Sequence, residues 1–458
     1  MLPDLQFLKN RLKQTIICKE KQGFQTAGML TALKNLSESY DAVAKLANEV
    51  AELPFRKNWP YREPYALEEI WKECDPDRPL GPMCILPQND MAARIKSAFQ
   101  GAVCGCILGK PLEVNPTLSE IHKAAASCGE WPLNDYISDE MLTALKRHHD
   151  SAVECKRGHI KYVAPDDDIN YSLLGMLVLE KHGGDFTKEQ LMRLWLDNLP
   201  PLWTFGPERT ILTQAAIHSI GEEGEPAFDF WANEWNPGNE LCGAAIRVDA
   251  YGYAAAGNPA LAAELAWRDS SITHVRTGIY ASMYIAAAIA TAFVAKKPMD
   301  IFSVALQFVP RMSRFHQVMT DCFTMVSEAG DWLEGYQKIN EKYGEYGHCQ
   351  LYQECGQLIN SARFAKDVSH AFCMQVAQGC DTDCFGEIMG SIAGAYFGPG
   401  YLDERWLAPF NDDLRTSLGS FHERSLHAVT KRMAQLPARI APNKSATMQT
   451  EQNISGNA

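Results

Sequence analysis

Two short acidic motifs contain most of the residues in this sequence that could do chemistry. Asp166, Asp167 and Asp168 directly precede one strongly apolar run, and Asp381 and Asp383 precede another. One acid is enough to cap a helix, because the unpaired N–H groups of the first turn stabilise it by about 0.3–1 kcal/mol. Three adjacent acids repel one another, and a hard divalent cation relieves that repulsion most directly. The triplet alone therefore favours a metal site and a solvated turn equally.

The second acidic motif shifts the balance towards metal. Two carboxylates two residues apart at a helix start can converge on one side, and five acids at two helix starts can hold a pair of cations. Because the ligands are all oxygens, the pattern favours Mg²⁺ or Mn²⁺ over Zn²⁺. The closest cysteine pairs, Cys104 with Cys106 and Cys380 with Cys384, also lack the spacing of a structural zinc site. The sequence thus predicts a two-metal site built from carboxylates.

Three further motifs are weaker signals of a site. Glu113 follows Pro111, which ends a predicted helix, and it is either a site residue or a surface acid. Residues 237–248 form a small-residue turn that runs into a helix, a suitable cradle for phosphates through backbone N–H groups. His274 precedes an alanine-rich run and suits capping of that helix as well as contact with a ligand.

The elements that carry these motifs are predicted to be helices. After Asp90 the apolar residues recur every three or four positions, strand-like alternation is scarce, and no tandem repeat is visible. The fold class is therefore predicted to be all-α. The predicted helices cover residues 92–108, 169–182, 188–196, 208–219, 260–267 and 278–295, with further helical segments up to Arg439.

Two glycine ladders indicate how the core helices pack. The glycines recur every four residues, at Gly101, Gly105 and Gly109 and again at Gly386, Gly390, Gly394 and Gly398. A glycine inside a helix costs about 1 kcal/mol relative to alanine, so several in register need an offsetting gain. Close approach of another backbone supplies that gain. We therefore predict that both helices are central and contact other backbones through their glycine faces.

The first 88 residues are predicted to form a helical extension with a proline-rich linker. Apolar residues between Leu5 and Ile16 suggest one amphipathic helix, and residues 31–53 carry an apolar stripe that predicts a second. Seven prolines in residues 54–87 predict an extended linker, whose aromatic residues either staple it to the main domain or anchor a partner. The predicted parts are the extension at 1–88, a main domain at 89–439 and a disordered tail at 440–458.

The composition excludes several classes of function. With 43 basic and 56 acidic side chains, the net charge of −13 is unfavourable for binding the phosphate backbone of nucleic acids. No secretory leader is recognisable, because Asp4, Lys9 and Arg11 interrupt the first apolar residues. The uncharged run at 278–295 is long enough to suggest a membrane span, but its alanine content favours a buried helix. We therefore expect a cytoplasmic protein, and the scattered cysteines agree with a reducing compartment.

In their order along the chain, the five motifs resemble those of the ADP-ribosylglycohydrolase family over about residues 90–435. The stretch Gly101–Glu113 resembles the family pattern G-x-x-x-G-D-A-x-G-x-P-x-E, except that Cys106 and Ile107 replace its Asp and Ala. Asp166–Ile169 corresponds to the family's T-D-D-T, in which Ile169 replaces the second Thr.

The remaining matches lie in the second half of the chain. The stretch Gly379–Cys384 corresponds to G-x-D-T-D-[TS] and is the most specific of them. The G-A-A-x-R core of the phosphate turn falls on Gly243–Arg247, and the family's T-H falls on Thr273 and His274. Cys384 replaces a Thr or Ser metal ligand, and Cys242 stands where small polar residues are common, so metal and substrate preferences can differ.

The resemblance implies a compact all-α domain around two Mg²⁺ ions that hydrolyses the N-glycosidic bond between ADP-ribose and an acceptor, with arginine favoured. It implies three sets of site residues. The catalytic set is Glu113, Asp167 and Asp168. The metal ligands are Asp166, Asp167, Asp168, Asp381 and Asp383. The substrate-binding set is Gly238, Asn239, Gly243, Arg247 and His274.

The resemblance leaves the partner and the role of the extension open. Besides the ADP-ribosylated protein substrate, one hypothesis adds an ADP-ribosyltransferase toxin, which residues 1–88 would block while the main domain reverses its modification. The competing interpretation is a helical cap packed permanently on the main domain. Two alternatives to the hydrolase remain, namely a binding-only immunity or regulatory protein with a degenerate core, and a hydrolase of another ADP-ribosyl or nucleoside-type substrate.

Overall fold

The computed structural model describes residues 4–218 and 227–440, and their regular structure is helical. Among these residues the extended pairings are four isolated β-bridges, so the predicted all-α class is confirmed. The helices of the first half are α1 Leu5–Lys21, α2 Met29–Lys34, α3 Tyr40–Ala51, α4 Leu67–Glu73, α5 Gln88–Gly109, α6 Leu118–Ser127, α7 Asp139–Leu145, α8 Asp167–His182, α9 Lys188–Asn198 and α10 Gly206–Ile217. Those of the second half are α11 Phe228–Asn233, α12 Asp249–Ala254, α13 Pro259–Ser270, α14 Thr277–Ala292, α15 Pro298–Leu306, α16 Arg314–Glu328, α17 Trp332–Tyr343, α18 Tyr352–Phe364, α19 Val368–Ala377, α20 Thr382–Phe397, α21 Leu426–Met433 and α22 Leu436–Ile440.

Short 3₁₀ helices connect several of these elements. They cover Lys110–Leu112, Asp150–Glu154, Gly183–Asp185, Pro201–Trp203, Cys242–Arg247, Glu404–Trp406 and Ala408–Phe410. The six helices whose bounds were predicted are all present, with ends that differ by a few residues. Residues 441–458 of the predicted disordered tail lie outside the described residues. So does Ser219, the last residue of one predicted helix.

The alanine-rich run predicted to be a buried helix is α14, and every one of its residues is buried in the main core. No helix in the described part of the chain combines the length and apolarity needed to cross a membrane.

Helices α5 and α20 pack against each other through the two glycine ladders. A Cβ added to Gly105 would overlap the carbonyl oxygen of Gly386, and one added to Gly390 would overlap that of Gly101. The predicted backbone contact is therefore confirmed, and the two ladders are each other's partner. Thr382 at the start of α20 donates a hydrogen bond of 2.8 Å to the carbonyl of Gly109 at the end of α5. This contact fixes the start of α20 beside the segment that follows α5.

The prediction of one helix over residues 31–53 is wrong, because the chain forms α2 and α3 with a break between them. The side chain of Ser39 caps α3 by accepting a hydrogen bond from the backbone N–H of Ala42, and such capping residues end a continuous helix. Most of the apolar stripe is nevertheless buried, although Tyr40 is exposed. Its residues form a small hydrophobic cluster with α1, made of Leu12, Ile16, Leu33, Val43, Leu46, Ala47 and Val50.

The proline-rich linker is not extended throughout, because it contains α4, and part of it is stapled to the main domain. Tyr65 and Trp71 pack against the main hydrophobic cluster, and Ile70 belongs to it. The indole N–H of Trp267 donates a hydrogen bond of 2.9 Å to the carbonyl of Tyr65. Of the two interpretations of the linker aromatics, stapling therefore describes these two residues.

Candidate active site

The two acidic motifs lie together at the starts of α8 and α20. Asp166 is the N-cap of α8, where its side chain accepts a hydrogen bond of 3.1 Å from the N–H of Asp168. Asp381 is the N-cap of α20 but makes no capping hydrogen bond, and Asp383 is in the first turn. All four carboxylates are buried, with Asp166 the most exposed at 5%. The sequence predicted these helix starts and their convergence in space.

The buried carboxylates keep oxygen atoms without a hydrogen-bond partner. These atoms are both oxygens of Asp168, Oδ1 of Asp381 and Oδ1 of Asp383, whereas Oδ2 of Asp166 is ion-paired with Lys110. Burial, followed by the charge of Asp166, raises the pKa of Asp168 well above its usual value. An ionised carboxylate in a protein interior needs a cation or hydrogen-bond donors to offset its lost hydration. The arrangement is therefore suited to holding positive charge.

Lys110 supplies part of that positive charge from within the chain. Its Nζ lies 2.7 Å from Glu113, 2.9 Å from Asp166 and 2.9 Å from Asp383. Burial alone would lower the pKa of Lys110, but these carboxylates outweigh it and raise that pKa well above its usual value. Burial would likewise raise the pKa of Asp383, whereas the Lys110 ammonium and hydrogen bonds lower it to about 2. Lys110 therefore stays protonated and balances at least one acid.

The groups of side chains that are spaced closely enough to share an ion differ in their ligand atoms. The carboxylates of Glu113, Asp381 and Asp383 offer three oxygens within 4.8 Å of one another, a set that suits Mg²⁺ or Mn²⁺. The other acidic groups of ligand spacing each include sulfur, from Cys106 beside Asp166 and Asp168 or from Cys384 beside Asp168 and Asp383. Thiol sulfur is a poor ligand for Mg²⁺. Of the groups of ligand spacing in the described residues, one is therefore all-oxygen and four contain sulfur, and the pair of Mg²⁺ ions stays a prediction.

A cavity of about 290 Å³ opens beside these carboxylates. Its wall is formed by Lys110, Glu113, His149, Asp167, Tyr171, Phe205, Gly206, Pro207, Glu208, Leu241, Cys242, Gly243, Ile246, His348, Cys349, Asp381 and Cys384. Asp167 therefore faces the cavity, although it belongs to none of the ligand groups found in the described residues. Burial and the charge of Asp166 raise the pKa of Asp167 to about 8. Asp167 is therefore placed to contact a substrate, and its predicted role as a metal ligand stays a prediction.

The residues predicted to bind substrate are divided between the cavity and its support. Gly243 lies on the cavity wall, where a Cβ would overlap the carboxylate of Glu208. Arg247 is only 1% exposed, and it pairs with Asp269 and, at 2.8 Å, with Glu208. His274 is fully buried and shares a hydrogen bond of 2.7 Å with Thr273. Arg247 thus holds the turn from behind through a hydrogen bond of 2.9 Å to the carbonyl of Gly243, and neither Arg247 nor His274 lines the cavity.

Gly238 and Asn239 line a neighbouring pocket that the N-terminal extension helps to form. This pocket, of about 340 Å³, is bounded by residues of α1, including Gln14 and Cys18, and shares Leu241 with the first cavity. Gln22 donates a hydrogen bond of 2.8 Å to the side chain of Asn239. The predicted phosphate turn is therefore in contact with the extension on one side and with the cavity on the other.

Sequence reasoning missed several residues that shape the site. Glu354 in the first turn of α18 is fully buried and accepts backbone hydrogen bonds from Cys349, Leu351 and Asp381 at 2.9, 3.0 and 3.2 Å. It therefore holds two separate loops in register beneath the cavity. Lys110 could have been singled out because it stands next to Pro111 within a recognised motif. Glu354 had no such signal, because its role depends entirely on tertiary contacts.

Comparison with known proteins identifies the family of the main domain. The family model of the ADP-ribosylglycohydrolases matches residues 87–436. The chain is also similar to a solved structure described as an ADP-ribosylglycohydrolase-related protein complex, with 18% sequence identity and a TM-score of 0.46 over 77% of this chain and 99% of the other. No curated protein matches the chain.

Proposed function

The chain belongs to the ADP-ribosylglycohydrolase family, and we propose that it is a metal-dependent hydrolase that removes ADP-ribose from arginine side chains of modified proteins. The observation that carries this proposal is the cavity whose wall includes Glu113, Asp167 and Asp381, beside buried carboxylate oxygens that lack partners. A negatively charged, partly desolvated wall suits a reaction that develops positive charge at the anomeric carbon.

The cavity also suits the two ends of the proposed substrate. A modified arginine keeps its cationic guanidinium group, whose charge would lower the raised pKa values of Asp167 and Glu113 and so favour their ionised, attracting forms. Lys110, His149 and His348 stand on the same wall and can donate hydrogen bonds to an anionic diphosphate. Carboxylates and donors therefore face one cavity, as an ADP-ribosyl–arginine linkage requires.

Glu113 is the residue best placed to move a proton. Its carboxylate is half-buried on the cavity wall, and burial together with the charge of Asp383 raises its pKa to about 9. Lys110 holds this carboxylate at 2.7 Å and opposes the rise. A divalent cation bound at Glu113, Asp381 and Asp383 would lower the pKa of a bound water and orient the ribose hydroxyls. The cation would also lower the pKa of Glu113, so that its carboxylate, bound through one oxygen, could accept the proton of the attacking water with the other. Asp167 faces the positive charge on the ribose.

One observation favours a second candidate, a binding-only protein with a degenerate hydrolase core. The Lys110 ammonium occupies the space between Glu113, Asp166 and Asp383, so a cation of the chain itself already balances part of the acidic cluster. In this case the cavity would bind ADP-ribosyl groups without hydrolysing them. Both candidates would bind ADP-ribosyl groups, but only the hydrolase would release ADP-ribose.

The experiment measures release of ADP-ribose from a protein mono-ADP-ribosylated on arginine, with Mg²⁺, with Mn²⁺ and after chelation. We expect metal-dependent release that falls by about 10²–10⁴-fold in Glu113→Gln, the range expected for loss of a general base. Asp168→Asn, which removes a buried charge at nearly constant volume, should also be inactive. Asp185→Asn is the matched control, because this acid is exposed and lies outside the cavity.

The outcomes separate the two candidates. Unchanged release by Glu113→Gln or by Asp168→Asn would refute the assignment of the site. Saturable binding of ADP-ribose by the wild-type chain without any release from modified arginine would support the binding-only candidate. Release from another modified side chain but not from arginine would keep the hydrolase and correct its acceptor.

A further inference from the structure

Three cysteines from distant parts of the chain meet at the cavity. Cys242 begins a 3₁₀ helix, Cys349 lies in the loop before α18, and Cys384 is in the first turn of α20. The thiols of Cys242 and Cys349 both donate hydrogen bonds to Asp381, and the thiol of Cys384 lies within 4.8 Å of both Cys242 and Asp381. All three line the cavity. Because they are far apart in sequence, the spacing of neighbouring cysteines could not reveal this cluster.

The carboxylate of Asp381 lies in the middle of the thiols. Its Oδ2 is 3.3 Å from Sγ of Cys242 and 3.2 Å from Sγ of Cys349. Ligand atoms of Cys242, Asp381 and Cys384 also lie within 4.8 Å of one another. Sulfur and oxygen ligands of one tetrahedral Zn²⁺ ion are separated by about 3.5 Å. The observed spacing is therefore that of donors able to share one ion.

Unpartnered atoms in the cluster point independently to a ligand. Asp381 is 1% exposed, and its Oδ1 has no hydrogen-bond partner. The Nδ1 atom of His348 is also buried without a partner, and His348, Cys349 and Asp381 form another group of ligand spacing. A carboxylate oxygen left unpaired in the interior is costly unless a cation or a donor meets it.

The loop that carries Cys349 is held in a fixed and unusual conformation. Cys349 and Leu351 have positive φ angles of 61° and 70°, and Cys380 next to Asp381 has one of 65°. Non-glycine residues adopt this region at a cost and keep it only where surrounding contacts require it. The carboxylate of Glu354 supplies those contacts through its hydrogen bonds to both loops. The backbones of Cys349 and Asp381 are therefore held in place before any ligand binds.

We propose that Cys242, Asp381 and Cys384 bind one thiophilic divalent cation of the Zn²⁺ class. Cys349, whose Sγ is 3.2 Å from Asp381 but which lies outside this group of three, would move in as the fourth ligand. Sulfur ligands select Zn²⁺ over Mg²⁺, so this site differs in chemistry from the all-oxygen group of Glu113, Asp381 and Asp383. Asp381 lies between the two and belongs to both. The proposal concerns ion binding and stands whether or not the chain hydrolyses ADP-ribosyl bonds.

The test uses the full chain, reduced and freed of metal by a chelator, and titrates it with Co²⁺ and then with Zn²⁺. Thiolate ligation of Co²⁺ gives a sulfur-to-metal charge-transfer absorption, which an oxygen site does not give. We expect this absorption to saturate at one equivalent, to survive a large excess of Mg²⁺ and to disappear as Zn²⁺ displaces Co²⁺.

Serine variants then assign the ligands. Cys242→Ser should weaken Zn²⁺ binding by at least about 10-fold. Mutation of a residue that only supports a metal ligand already lowers metal affinity by about 10–100-fold. Cys349 is only half-buried, so Cys349→Ser should keep the fold and lose part of the charge-transfer intensity. Cys84→Ser is the control, because this cysteine is exposed and outside the cluster.

Three results would overturn the proposal. They are the absence of the charge-transfer absorption in the reduced chain, its displacement by Mg²⁺, and equal Zn²⁺ affinity in the wild type, Cys242→Ser and Cys349→Ser. The melting temperatures of the metal-free variants show whether any loss of binding reflects unfolding. Hydrolysis is measured separately, so loss of the metal site and loss of the proposed activity give different results.

Discussion

At the scale of single residues, Glu354 shows how one buried carboxylate can order a site that it does not line. Its Oε1 accepts the N–H groups of Cys349 and Asp381, and its Oε2 accepts that of Leu351. Burial raises the pKa of Glu354 to about 8, while these hydrogen bonds oppose the rise. Because both carboxylate oxygens accept hydrogen bonds, replacing either oxygen by a donor group would remove at least one of these bonds.

Glu354→Gln should therefore destabilise the protein although it changes little in size. The new amide nitrogen would face a backbone N–H, and an unsatisfied buried donor costs about 1–3 kcal/mol. We expect a lower urea midpoint and weaker Zn²⁺ binding, because Cys349 and Asp381 lose their common anchor. Glu341→Gln on α17 is the control, since Glu341 is exposed. If Glu354→Gln matched the wild type in both measurements, Glu354 would not position the loops.

At the scale of elements, the packing of α5 on α20 places the acidic motifs beside Glu113. The two helices touch backbone to backbone at Gly101, Gly105, Gly386 and Gly390, which leaves no room for side chains between them. A shift of either helix would move the Lys110–Glu113 segment away from Asp383. The glycine ladders thus act on the site through geometry and contribute no atom to it.

Gly390→Ala should consequently affect both stability and activity. Its Cβ would overlap the carbonyl oxygen of Gly101 and force the helices apart, at a cost of about 3 kcal/mol by analogy with overpacked cores. We expect a lower free energy of unfolding and a reduced kcat in the folded fraction. Gly81→Ala provides the control, because a Cβ there meets nothing within 4 Å. Equal melting temperatures for the two variants would mean that α5 and α20 can separate without penalty.

These two elements also show what the sequence can and cannot predict. The acids at the starts of α8 and α20 and the glycine faces were predictable, because local spacing determines them. The break between α2 and α3 was not predicted, because the apolar spacing continues across it although Ser39 caps a new helix there. The thiol cluster and Glu354 were also inaccessible, since Cys242, Cys349 and Cys384 meet only when three distant segments fold together.

At the scale of the whole molecule, the N-terminal extension is attached to the phosphate turn. Arg11 donates a hydrogen bond of 2.9 Å to the carbonyl of Trp235, and Gln22 holds Asn239. Arg314 joins Glu63 of the linker to Glu240 of the turn at 2.8 and 2.6 Å. Most of the apolar stripe that suggested a free docking face is buried in the extension's own cluster, and Tyr40 is its exposed member. These contacts favour the cap, whereas binding of a transferase toxin by residues 1–88 stays a prediction.

A truncation that spares the stapled linker can separate the two interpretations. Removing residues 1–88 would also delete Ile70 and Cys74 from the main core, so we choose removal of residues 1–56. A cap predicts a lower melting temperature and a higher KM for the ADP-ribosylated substrate, because Asn239 and Trp235 lose their partners. If the extension instead blocks a transferase toxin, we expect unchanged melting and hydrolysis with loss of toxin binding.

The single substitution Gln22→Ala extends this test without a truncated chain. It removes one hydrogen bond to Asn239, which is worth about 1 kcal/mol, and leaves the rest of the extension in place. We expect a raised KM with kcat nearly unchanged, since Asn239 lies beside the cavity and away from the buried carboxylates. Gln25→Ala is the matched control, because Gln25 is exposed three residues beyond the C-cap of α1. Should Gln22→Ala and the truncation both keep the wild-type KM, the extension would have no part in binding the substrate, and a role towards a separate partner would become the better explanation for it.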